Sequence, residues 1–105
     1  MSVNERLRTP EADRLCQAVL SLETVDECYR FLQDIATVGE IKALGQRLEV
    51  ARLLDSGMTY EDIVAATGAS TATISRVKKC LHYGADGFQL VLGRTQGNPG
   101  RPESK

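Results

Sequence analysis

Apolar residues recur along this chain at intervals of three and four and nowhere alternate one by one, a pattern that predicts helices and no strands. The first helix starts at Thr9, Pro10 and Glu11. Thr can cap orphan amides, Pro is tolerated at the first helical position, and Leu15, Val19, Leu20 and Leu22 supply an apolar stripe. Thr24 to Glu27 reads as a capping box, followed by Cys28, Phe31, Leu32 and Ile35 at helical spacing. A second box, Thr37 to Glu40, opens a longer helix with Ile41, Leu44, Leu48, Ala51 and Leu53 or Leu54 on one side, which Gly57 ends. A short helix from Thr59 carries Ile63, Val64 and Ala66 and breaks at Gly68. The next begins at Ala69 or Ser70 and runs to about Tyr83, where Gly84 stops it. Residues 86–93 hold enough apolar side chains for one more short helix. The expected organisation is a flexible segment at 1–8, one helical domain at 9–93 and a disordered tail at 94–105, which has two Pro, two Gly and no apolar residue.

A chain of 105 residues supports one core and leaves no room for a second. It contains no run of 18 apolar residues, and its charged N-terminus lacks the apolar stretch of a signal peptide. That pattern argues against a membrane span and against secretion, and places the protein in the cytoplasm. Cys16, Cys28 and Cys80 are odd in number and far apart, which argues against a disulfide framework and against a zinc site. They read as small buried hydrophobes.

The net charge of −1 hides a polarity. Residues 1–64 carry seven basic and twelve acidic groups, whereas residues 65–105 carry six basic and two acidic, so an anion-binding face belongs in the C-terminal half. There, the stretch from Gly57 to His82 has two short helices separated by a turn around Gly68, with Ile63, Ala66, Ile74 and Val77 placed to bury between them. This is the pattern of a helix-turn-helix. In such a motif the N-terminal part of the second helix faces the DNA major groove, and here it offers Ser70, Thr71, Ala72, Thr73 and Ser75. The hydroxyls suit phosphates or base edges, and the Thr methyls suit thymine methyls. Arg76, Lys78 and Lys79 follow with no acid in residues 70–82, and the helix N-terminus adds its own partial positive charge. One such unit makes few phosphate contacts, and a dimer doubles them.

The succession from Glu40 through the ALGQR segment to Leu48, followed by LLDSGMTYEDIVAATGASTATISRVKKCL, closely resembles the core of the Trp repressor family. From about Arg8 to Arg94 the chain looks like the family's YerC/YecD-type branch. The resemblance implies an all-α, intertwined homodimer in which two helix-turn-helix units are held one DNA turn apart, and a sequence-specific DNA-binding transcriptional regulator of the repressor type. It also implies a candidate effector pocket at Arg47, Thr73, Arg76, Val77 and Cys80, where the corepressor of the Trp repressor sits between the long third helix and the recognition helix. Arg47, Thr73 and Arg76 are of a type suited to holding a carboxylate and framing a ring. Val77 stands where the repressor has a Gly against the indole, and Cys80 where it has a Ser receiving the ligand's ammonium group. The resemblance therefore leaves room for a small-molecule effector but argues against tryptophan.

Enzymatic chemistry finds no support, and no metal or other cofactor is implied. His82 is the only His, and the chain has no GxSxG, P-loop or HExxH string. Cys80 and His82, two residues apart on a helix, point to different faces. One reading from another class stays open: an adaptor whose helix-turn-helix binds a larger regulator or a polymerase subunit and has no operator of its own. The acidic N-terminal half is its best support.

Overall fold

The structure is a computed structural model that describes residues 3–95. After a 3-10 turn over Glu5–Leu7, the chain forms six α-helices: α1 (Pro10–Leu20), α2 (Val25–Ile35), α3 (Val38–Asp55), α4 (Tyr60–Thr67), α5 (Thr71–Tyr83) and α6 (Gly87–Thr95). Among the described residues there is no strand. The segment expected to be flexible therefore contains the 3-10 turn, and α6 runs two residues into the expected tail. Residues 96–105 of that tail, like residues 1 and 2, lie outside the described residues.

The helix starts follow the capping residues. Thr9 accepts a hydrogen bond from the Ala12 amide at 3.0 Å, with Pro10 in the first turn. Thr24 accepts from the Glu27 amide at 3.0 Å, but the Glu27 carboxylate reaches back one residue further than in a standard box, to the Glu23 amide at 2.9 Å. The box at α3 is reciprocal: the Glu40 amide donates to Thr37 Oγ1 at 3.1 Å and the Thr37 amide donates to the Glu40 carboxylate at 2.8 Å. Helix α3 ends in a Schellman arrangement. Gly57, at φ +91°, donates to the Leu54 carbonyl, and Met58 donates to that of Leu53.

The chain divides into two compact units, Val3–Leu44 and a second that begins at Gly45. No described residue of the first unit is buried. Leu20 is 83% exposed and Val19 51%, and Tyr29 and Ile35 are also open. The core belongs to the second unit: Val50, Ala51 and Leu53 of α3, Ile63 of α4, Ala69, Ile74, Val77 and Leu81 of α5 and its lead-in, and Leu92 of α6. Leu54, Met58, Tyr60 and Phe88 pack at its margin.

Three sequence expectations need correction. On α3 only part of the expected stripe packs: Ala51, Leu53 and Leu54 meet the core, while Leu44 and Leu48 are 53% and 42% exposed, and Val50, which the stripe omitted, is fully buried. At about 100° per residue, the packed arc of α3 runs from Leu53 through Val50 and Leu54 to Ala51, and Leu44 and Leu48 continue the apolar surface past Ala51 into a second apolar face that stays exposed. Ala66 is exposed and Ala69 is buried in its stead, because α4 ends at Thr67 and the chain reverses through Gly68 to bring Ala69 against the core. The cysteines are not core hydrophobes either. Cys16 and Cys80 are exposed and Cys28 is half-buried: the first two helices bury no residue within their own unit, and Cys80 lies off the side of α5 formed by Ile74, Val77 and Leu81.

Candidate nucleic-acid interface

The candidate interface comprises α4, the turn after it, and α5. Thr59 starts α4 by accepting from the Asp62 amide at 3.2 Å. At the far end Gly68, at φ +74°, donates to the Val64 carbonyl at 2.9 Å. The left-handed backbone that lets the chain reverse is one that a Cβ would strain. Thr67 braces the same turn: its hydroxyl donates to the Ile63 carbonyl at 2.7 Å and accepts from the Ala69 amide at 3.1 Å. Ser70 then caps α5. Its hydroxyl accepts from the Thr73 amide and donates to Thr73 Oγ1, each at 3.1 Å.

Ile74, Val77 and Leu81 form the buried side of α5, which packs against α4 and α6. At about 100° per residue, Ala72 and Lys79 fall at the centre of the opposite, exposed side, with Ser75 and Arg76 to either side of them. Thr71 and Lys78 lie on the α4 flank, where the Lys78 ammonium sits 5.6 Å from the centroid of the Tyr60 ring. The structure thus sorts the sequence-predicted contacts. Thr71, Ala72, Ser75 and Lys79 lie on open surface with no side-chain partner, whereas the hydroxyls of Ser70 and Thr73 bond to each other and Lys78 faces Tyr60. Helix α5 has no acid in its first turn, which leaves the partial positive charge of its N-terminus unopposed there.

On the other flank of α5, Arg47, Thr73, Arg76, Val77 and Cys80 line one cleft of about 250 Å³ together with Phe88. The five residues of the candidate effector pocket are therefore brought together. Phe88 is the member that sequence reasoning missed, its only signal being the apolar run that predicted α6. Among the described residues no carboxylate pairs with Arg47 or Arg76, so the cleft has two cations free for an anion. Cys80 and Phe88 also border a larger, mostly apolar cleft of about 540 Å³ that extends to Leu48 and Val91. Among the described residues no group of His, Cys, Asp or Glu is arranged to hold a metal ion, and no helix is long and apolar enough to cross a membrane.

Helical throughout the described residues, with a capped helix-turn-helix whose second helix shows small hydroxyls and a cation outward, the chain has the architecture of the helix-turn-helix class. Over residues 10–96 the sequence matches the Trp repressor protein family, and the chain belongs to that family. It is 50% identical over 101 residues to the uncharacterized protein YerC of Bacillus subtilis (strain 168), an alignment covering 96% of this chain and 97% of YerC. Its structure is similar to that of a TrpR-like protein from Eubacterium eligens ATCC 27750, with a TM-score of 0.84 and 50% identity over 87% of this chain and 94% of the other.

Proposed function

We propose that this protein is a sequence-specific transcriptional regulator of the repressor type, binding duplex DNA in the cytoplasm as a homodimer. The observation that carries the reading is the outward side of α5, where Ala72, Ser75 and Lys79 stand with no acid in the helix's first turn. Thr71, Ala72 and Ser75 are the base-reading set, since short side chains permit close approach to base edges. Lys79 and Arg76 supply phosphate contacts and set affinity. Ser70 and Thr73 act by shaping the helix start, and Lys78 by its position on the α4 flank.

Dimerisation is supported by apolar surface that a lone soluble chain has no reason to expose: Val19, Leu20 and Ile35 in the first unit, and the second apolar face of α3 with Leu44 and Leu48. A dimer also doubles a phosphate-contact set too small to bind well alone. The cleft between Arg47 and Arg76 is the effector site in this reading, and it takes a small anion.

Two measurements test the proposal together. Sedimentation equilibrium at low micromolar concentration should return about twice the 11.5 kDa chain mass. Binding to random duplex DNA should be measurable in dilute salt and fall steeply as salt rises. A well-folded monomer overturns the dimer. Absence of any duplex binding in dilute salt favours an adaptor that docks on a protein instead.

A further inference from the structure

The turn between α4 and α5 is held by several hydrogen bonds, and all but one are local. Gly68 donates to Val64, the Thr67 hydroxyl to Ile63, and Ala69 to the Thr67 hydroxyl. Each spans four residues or fewer, so all would survive if α4 and its turn swung as a body. The exception is Gln46, whose side-chain Nε2 donates to the Thr67 carbonyl at 3.2 Å across 21 residues of sequence.

The chemistry of this contact is specific. The Thr67 carbonyl belongs to the last turn of α4, where carbonyls have no partner within the helix, and no basic residue of α4 stands in that turn to serve it. A carbonyl can only accept, so the Gln46 amide must present its NH₂ group. The bond is partly buried, where it is worth more than at an open surface. Gln46 lies on α3 next to Arg47, which lines the cleft beside α5, and α3 is anchored in the core by Val50, Ala51 and Leu53.

We propose that Gln46 is the positioning residue of the recognition helix: its amide ties the turn before α5 to α3, and so sets the pose in which Ala72 and Ser75 meet a duplex. The inference rests on the DNA-binding reading, and its test separates the two.

Two variants distinguish a donor from a mere space-filler. Gln46→Met keeps the length and removes the donor. Gln46→Lys keeps a donor, and its cation suits the negative end of α4. Hydrogen exchange measured amide by amide should show the Ala69 amide exchanging about tenfold faster in Gln46→Met, the factor that the net worth of one hydrogen bond corresponds to. The Val77 amide should keep its wild-type rate, and Gln46→Lys should restore Ala69. In parallel, binding is measured to a duplex selected from a random pool by the wild-type protein and to a scrambled duplex. The ratio of the two affinities should fall about tenfold in Gln46→Met and recover in Gln46→Lys. Melting temperatures check that both variants fold. Wild-type exchange at Ala69 in Gln46→Met, or equal loss in Met and Lys variants, overturns the proposal. If the wild-type protein binds no duplex, the DNA-binding reading falls, and exchange alone still decides whether Gln46 holds the turn.

Discussion

The Lys78 ammonium lies 5.6 Å from the centre of the Tyr60 ring, linking the middle of α5 to the first residue of α4. Two neighbouring lysines are thereby given different surroundings. Lys78 meets an aromatic face on the α4 flank, while Lys79 extends from the centre of the exposed side.

Lys79→Ala should weaken binding to every duplex alike and lower the salt slope by about one counterion. Lys78→Ala should change the slope less and instead lower the melting temperature slightly, since an exposed cation–π contact is worth roughly 0.5–1 kcal/mol. Fluorescence anisotropy titrations at several salt concentrations, with thermal melts beside them, read out both effects. Equal slopes for the two variants would contradict the assignment.

The serines divide in the same way. Ser70→Ala removes the cap of α5 and should cost about 1 kcal/mol of stability while leaving the order of preferred sequences unchanged. Ser75→Ala touches no intramolecular bond and should change sequence preference with little effect on stability. Selection of binding sites by each variant from a random duplex pool, set against denaturant midpoints, separates the two outcomes.

L-tryptophan should not act as a corepressor. Val77 is buried and borders the cleft with Arg47, Thr73 and Arg76 at the position where the resembling repressor leaves a bare glycine backbone. Overfilling such a site costs about 1–3 kcal/mol, and a poorly satisfied ammonium at Cys80 adds roughly as much, which together amounts to about two to four decades of affinity. Calorimetric titration of tryptophan into the protein, with DNA binding measured alongside, checks this. A micromolar dissociation constant coupled to tighter DNA binding would show that Val77 does not block the slot.

The reciprocal box at the start of α3 gives a pH dependence. The Thr37 backbone amide, and secondarily its hydroxyl, hold the Glu40 carboxyl below its ordinary 4.5. A carboxylate depressed by folding contributes stability that is fully present above 4.5 and is lost as the pH falls through its lower folded value. Wild-type protein should therefore lose more of its melting temperature between neutral pH and about pH 3 than Glu40→Gln does. Parallel slopes for the two proteins would remove Glu40 from the acid response.

Much of this protein was legible without coordinates. The helix starts at Thr9, Thr24, Thr37, Thr59 and Ser70 and the breaks at Gly57 and Gly68 are set by the hydrogen-bonding needs of helix ends, which are local and therefore written in adjacent residues. The hydroxyls at the start of the motif's second helix and the cations that follow them were legible as well, since their order along one helix is written in adjacent residues. What periodicity could not decide is which of two apolar faces finds a partner. On α3 both sides are apolar, and only packing with α4, α5 and α6 selects the side of Val50 over that of Leu48. The same limit explains Ala66 and Ala69, whose exchange depends on where the chain reverses in space. It also explains Phe88 in the cleft and Gln46 on the Thr67 carbonyl. Contacts that span many residues arise from how helices pack, a collective outcome of the whole core that no local spacing encodes.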